Sequence, residues 1–227
     1  MMKTKLFFLA PLFLLFSFVS CSEDDSVQES QAQYKSFNKP GDDTIFDIVA
    51  SFLSAPEFTE LYAALQYVDK SVADGGMDAG LIPAIQSNEV QLTVFAPSDA
   101  AFEELYATLS GVSGQDIDEI TDIPASVDLN VLLYHIVEGR RGSNSVVPKK
   151  NYKNVETLLG VPFQVNKDLE IMDVLGVWNP VIGTLDPNGG ETPGTNANIS
   201  ASNGMIHSVN HVLVPLTLQQ IKDLYGV

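Results

Sequence analysis

Cysteine is almost missing from this chain: its 227 residues include one, Cys21. A lone thiol cannot close an intramolecular disulfide, so a small disulfide-stapled scaffold is excluded and Cys21 needs another purpose. Positive charge is scarce too, with 12 Lys and Arg against 29 Asp and Glu and a formal charge of −17. Such a field repels phosphates and anionic headgroups, which excludes nucleic acid and electrostatic attachment to a membrane. A nucleophile elbow is lacking, since Gly111-Val112-Ser113-Gly114 does not have the Gly-x-Ser-x-Gly spacing. Carboxylate clusters exist at Glu103-Glu104 and at Asp116, Asp118 and Glu119. They fall on faces expected to be solvated and do not by themselves point to acid–base chemistry. The reading is therefore of a protein that is not an enzyme and needs no cofactor.

Metal ligands are equally sparse. His207 and His211 are four apart on an expected strand, a spacing that separates them by ~13 Å. Asp186, Asn188 and Glu191 offer oxygen atoms in a Gly-rich stretch but lack the Ca²⁺-loop pattern. No metal site is expected.

One long apolar run is present. Lys3 and Lys5 precede Leu6 to Val19, which is too short to span a bilayer comfortably and contains Pro11. It reads as a secretory signal region. The run ends in Phe18-Val19-Ser20-Cys21, where small residues before the Cys suit cleavage by a lipoprotein signal peptidase and lipidation of Cys21. Ser22-Glu23-Asp24-Asp25 follows, then Ser- and Gln-rich sequence that cannot bury enough apolar area to fold. The acidic run resembles the export tag that places lipoproteins on the outer leaflet in some Gram-negative lineages; a plain solvated linker is the other reading. The expected division is a signal peptide at 1–20, a tether at 21–43 and one folded domain at 44–227. Loss of Lys3 and Lys5 takes the chain from −17 to −19, so lipid and not charge must hold it to a membrane.

The folded part mixes two periods. Ile45, Ile48, Val49, Phe52 and Leu53 form a helical stripe, capped by Asp43 or Thr44. Pro56 opens a second helix carrying Phe58, Leu61, Tyr62 and Leu65. Val90 to Phe95 reads as a strand stopped by Ala96-Pro97, with Ser98 capping a helix through Phe102, Leu105, Tyr106 and Leu109. Leu129, Leu132, Leu133 and Ile136 mark a helix ended by Gly139. Strands are then expected at 155–159, 162–166, 169–174, 198–202 and 205–214, with turn chemistry at Gly160 and Asn203-Gly204. Residues 176–198 read as a long exposed loop. Thr217 and Gln220 form a capping box for a last helix ending near Tyr225.

Three segments resemble the fasciclin domain family. They are Thr93 to Phe102 (TVFAPSDAAF), Leu132 to Gly139 (LLYHIVEG) and Asn203 to Pro215 (NGMIHSVNHVLVP), in the family's order, and Thr157-Leu158-Leu159-Gly160 also fits. The resemblance implies an α+β domain, a β-wedge or sandwich of about six or seven strands packed against a cluster of helices. It also implies an adhesion role toward an extracellular protein or a glycan. Thr93, Phe95, Pro97, Ser98, Asp99, Phe102, Asn203, Gly204, Ile206 and His207 are motif positions with mainly structural duties. In animal relatives Tyr134 and His135 match a segment implicated in integrin attachment; the alternative is that His135 hydrogen-bonds backbone and braces a helix end. Ser200-Ala201 and Val209-Asn210 stand where an Asp-Ile-type recognition pair has been described, so integrin binding does not carry over.

The expected function is a surface-exposed outer-membrane lipoprotein acting as a binding module, with self-association as a further candidate. The alternative is a carbohydrate-binding accessory lipoprotein of a glycan-utilisation system. There Trp178, the only tryptophan, would stack on sugar, with Tyr152 and Tyr67 as candidate neighbours; otherwise Trp178 covers the core edge.

Overall fold

The computed structural model describes residues 42–51, 58–75, 80–176, 178–181 (as backbone) and 197–227. The signal segment, Cys21, residues 22–41, Phe52, Leu53, Pro56 and Asp186, Asn188 and Glu191 lie outside these. Among the described residues no helix is long and apolar enough to cross a membrane.

Three helices come first: α1 (Ile45–Ser51), α2 (Thr59–Asp74) and α3 (Leu81–Gln86). Thr44, not Asp43, caps α1: its Oγ1 accepts from the Asp47 N–H (3.2 Å) while the Asp47 carboxylate accepts from the Thr44 N–H (2.9 Å). Strand β1 (Leu92–Pro97) leads into α4 (Asp99–Ser113), whose Ser98 cap accepts from the Ala101 N–H. A 3-10 turn at Ile120–Asp122, α5 (Ala125–Tyr134), β2 (Ile136–Glu138) and a short α6 (Ser143–Val146) follow. Then come β3 (Tyr152–Val155), β4 (Phe163–Asn166), β5 (Glu170–Met172), β6 (Trp178–Val181), β7 (Ile199–Ala201), β8 (Gly204–Val209) and α7 (Leu218–Tyr225).

The strands form two four-stranded sheets. One has the order β2-β1-β8-β7 and the other β3-β4-β5-β6. The first sheet is the middle layer of three. Leu92, Val94, Ala96 and Ile206 face the helices, while Phe95, Val137 and Val209 face Val155, Phe163, Val165 and Ile171 of the second sheet. Burial on both faces explains why all six residues of β1 are buried.

Several expected boundaries move. β1 starts two residues later and runs through Pro97, because it pairs in parallel with β8 as far as Pro97↔Val209. β2 reaches only Leu92 to Val94 on the other side, so no partner there needs the N–H that Pro97 lacks. Helix α5 ends at Tyr134, and Ile136 belongs to a strand. The strand expected at 155–159 is β3 at 152–155; Thr157 to Gly160 is a turn in which the Gly160 N–H donates to the Thr157 carbonyl (3.0 Å). The strand expected to reach Val214 ends at Val209, and residues 210–214 leave the sheet. The loop expected at 176–198 contains β6.

Candidate functional site

The family-motif positions are distributed over both faces of the first sheet and the helices beside it. Thr93 Oγ1 donates to the Gly139 carbonyl (2.6 Å) and accepts from the Arg141 N–H (2.8 Å), tying β1 to the chain after β2. Phe95 stacks edge-on against Phe163, with ring centroids 5.0 Å apart. Phe102 and Ile206 lie in the helix-side core. Tyr134 is fully buried, edge-on to Phe163, with its hydroxyl donating to the Pro162 carbonyl (3.3 Å).

His135 and His207 are buried bridges of opposite tautomer. His135 Nδ1 donates to the Val131 carbonyl (2.7 Å) and Nε2 accepts from the Leu213 N–H (2.9 Å). His207 Nε2 donates to the Arg141 carbonyl (2.8 Å) and Nδ1 accepts from the Asn198 N–H (3.1 Å). Burial pushes His135 down to about 4 and lowers His207 as well, so both stay neutral. Tyr134 and His135 thus offer no side chain to a surface ligand in this structure. His211 sits beyond β8 against Glu104 (2.7 Å), well apart in role from His207. Among the described residues no group of three or more His, Cys, Asp or Glu is placed to hold a metal ion.

Three motif residues do more than sequence reasoning assigned. Asn203 is completely buried; its Oδ1 accepts from the Ile45 N–H (2.8 Å), and its Nδ2 donates to the Ile85 (2.7 Å) and Ser87 (2.9 Å) carbonyls. One amide therefore joins α1, the end of α3 and the β7–β8 hairpin. Gly204 has no positive φ; it is glycine because a Cβ would stand 2.0 Å from the Leu92 carbonyl oxygen. Asp99, at the first position of α4, accepts from Thr59 Oγ1 (2.6 Å) and the Glu60 N–H (2.9 Å). It caps α2, whose own N-cap position, Phe58, has no side-chain acceptor to offer.

Among the described residues the one exposed aromatic ring is on the second sheet. β3 is an edge strand whose first three residues are all exposed, and Tyr152 is 58% exposed. Register places Tyr152 opposite Asn166 and Asn154 opposite Gln164, and Gln164 opposite Met172. Cross-strand partners share a face, so Tyr152, Asn154, Gln164, Asn166 and Met172 make the side of this sheet turned away from the core. Val165 and Ile171 are on the inner side, fully buried. Trp178 is in strand β6, not in a loop, at the register position opposite Met172. Its backbone lies three strands from β3, or ~14 Å across the sheet. Tyr67 is elsewhere: it belongs to α2 and its hydroxyl donates to the Ile123 carbonyl (3.2 Å).

A second feature escaped the sequence reading. Asp128 is 2% exposed in a cavity of about 20 Å³ lined by Leu105, Leu109, Val131, Ile221 and Tyr225 between α4, α5 and α7. Among the described residues neither Asp128 Oδ2 nor the Tyr225 hydroxyl has a hydrogen-bond partner. Burial raises the Asp128 carboxyl to about 8, so it is protonated at neutral pH. The available signal was its position three and four residues before Val131 and Leu132, on the buried stripe of α5. The cavity has room for about one water.

The family model for the Fasciclin domain matches residues 56–215. Among solved structures, a FAS1 domain pair from the insect cell adhesion molecule fasciclin I matches with a TM-score of 0.50 at 11% sequence identity. The match covers 76% of this chain and 51% of that one, so this chain spans about half the length of the pair. At that identity the likeness is one of fold. No curated protein matches the chain.

Proposed function

We propose, from the premise that this chain belongs to the fasciclin domain family, that it is a non-enzymatic binding module held at a bacterial cell surface by lipid on Cys21. Fasciclin domains serve in adhesion and binding at the general level, and the ligand is set by what each one exposes. The observation that carries the reading is the outward face of the second sheet, where Tyr152 stands exposed on an edge strand beside Asn154 and Gln164. An exposed aromatic ring flanked by amides suits recognition by stacking and hydrogen bonding. The same observation favours the glycan reading, a carbohydrate-binding accessory lipoprotein, over recognition through Tyr134 and His135. Attachment rests on the apolar run before Cys21 and the polar stretch after it, and outer-leaflet placement rests on Ser22-Glu23-Asp24-Asp25.

The test is a screen of the purified full-length chain against glycans, matrix proteins and itself, repeated with Tyr152→Ala. Loss of binding at an unchanged melting temperature supports the reading, and binding that ignores Tyr152 overturns the assigned face. Attachment is tested separately by Cys21→Ala, which should leave the membrane fraction; a variant that stays there contradicts lipidation.

A further inference from the structure

The chain's few cations are unevenly placed. Residues 139–155 hold Arg140, Arg141, Lys149, Lys150 and Lys153, five of the twelve Lys and Arg, with no Asp or Glu among them. This stretch is at +5 within a chain at −17. It contains the free edge β3 and the exposed Tyr152. Lys149, Lys150 and Lys153 are exposed, and Lys153 Nζ donates to the Ser145 carbonyl (2.6 Å), which holds α6 against the strand. The two arginines are engaged: Arg140 bonds the Ala201 carbonyl (2.7 Å) and Ser200, and Arg141 Nε donates to the Glu138 carbonyl (2.8 Å). The nearby Lys167 is paired with Asp168 (2.6 Å). Glu138 and Glu156 bound the stretch at either end.

We infer that this edge, through Lys149, Lys150 and Tyr152, binds a polysaccharide carrying carboxylates of the uronate type. The inference rests on the binding-module reading above and names its ligand class. Charge complementarity is the first argument. A polyanion is repelled by the acidic balance of the chain and attracted by this local excess of positive charge, so the patch sets where and how it docks. The strand's own make-up is the second. Lys153 is opposite the buried Val165 and so is turned toward the inner side of the sheet, and Pro148 and two more lysines precede the strand. Lysine and proline on an edge oppose pairing with another strand, so recognition falls to side chains and an acidic peptide adding as a strand is disfavoured. The ring of Tyr152 supplies the third. A uronate carries one carboxylate at the edge of its ring, leaving the C–H face open to the phenol while an ammonium takes the charge.

The experiment measures binding of the full-length chain to polygalacturonate, dextran sulfate and neutral dextran at 20 and 200 mM NaCl, between which the Debye length shortens about threefold. Polygalacturonate should bind with the highest affinity and weaken about tenfold in the higher salt. Lys149→Glu with Lys150→Glu should remove binding, Tyr152→Ala should weaken it about tenfold, and Tyr152→Phe should retain it. All of these variants change exposed side chains and should melt with the parent chain. Dextran sulfate binding equally well would overturn the uronate assignment as mere polyanion attraction. Neutral dextran binding that ignores the lysine reversals, or self-association that those reversals abolish, would overturn the inference while the binding-module reading stands. Failure to bind any glycan, matrix protein or second copy would overturn that reading itself.

Discussion

Replacing Asp128 by Asn should flatten the dependence of stability on pH above neutrality. In the folded chain burial raises this carboxyl from 3.8 to about 8. Folding therefore takes up a proton at every pH between those values, so the stability lost through Asp128 grows as pH rises and levels off above 8. His135 has the opposite sign. Its folded value is about 4 against 6.5, so the unfolded chain binds the extra proton and stability is lost as pH falls through that window. His207, also lowered by burial, adds to it. From pH 4 to 6.5 His135 opposes Asp128, and His207 acts in the same direction as His135. From 6.5 to 8 Asp128 acts without opposition from either histidine, at about 1.4 kcal/mol per pH unit. Over that interval the loss is about 2 kcal/mol, or roughly 4–8 °C in Tm for a domain of this size. The acid is 2% exposed, so solvent screening does not reduce the figure. Tyr106 and Tyr225, both raised by burial and in part by Asp128, stay protonated throughout. Thermal melts of parent and Asp128→Asn at half-unit steps from pH 6 to 8.5 measure this. A parent that falls by several degrees beside a flat variant is the expected result. An Asp128→Asn profile as steep as the parent's would refute the assignment.

Asn203→Ala removes the partner of the buried Ile45 N–H and Ile85 carbonyl and of the half-buried Ser87 carbonyl. A loss of roughly 3–5 kcal/mol follows from the usual cost of unsatisfied buried groups, read as a lower midpoint in guanidinium unfolding. Asp99→Ala removes the cap of α2 and should cost about 1–2 kcal/mol by the same measurement, with hydrogen exchange accelerated in the first turn of α2 more than in α4.

Elements whose ends are set by local chemistry could be read from the chain. Ser98 caps α4 and the Thr217–Gln220 box opens α7 as expected, because each is complete within four residues. The mixed α+β architecture was legible through the motifs more than through periodicity. What depends on distant partners was not. The two-sided burial of β1 comes from β8, more than a hundred residues away, and from a second sheet on its far side. β3 lies three residues before its expected position because the exposed Tyr152, Lys153 and Asn154 do not look like a strand without the register to β4. β6 reads as loop in the sequence because it is embedded in Gly-, Asn- and Pro-rich residues. Asn203 and Asp99 sit in a hairpin and on one helix, yet each satisfies backbone groups of another element. For the candidate site, Tyr152 was legible only as an aromatic of unknown neighbourhood; its exposure is a property of the edge. Tyr134 and His135 were legible as a motif, while their burial depends on β4 and the chain around Leu213.

On the proposed function, the outward face of the second sheet is where this module meets its ligand. Hydrogen exchange of the full-length chain, with and without the ligand that the screen selects, tests it most directly. Protection confined to residues 149–155 and 163–172 is the predicted footprint. Protection centred on α5 and α7, with β3 and β4 unchanged, would contradict the account.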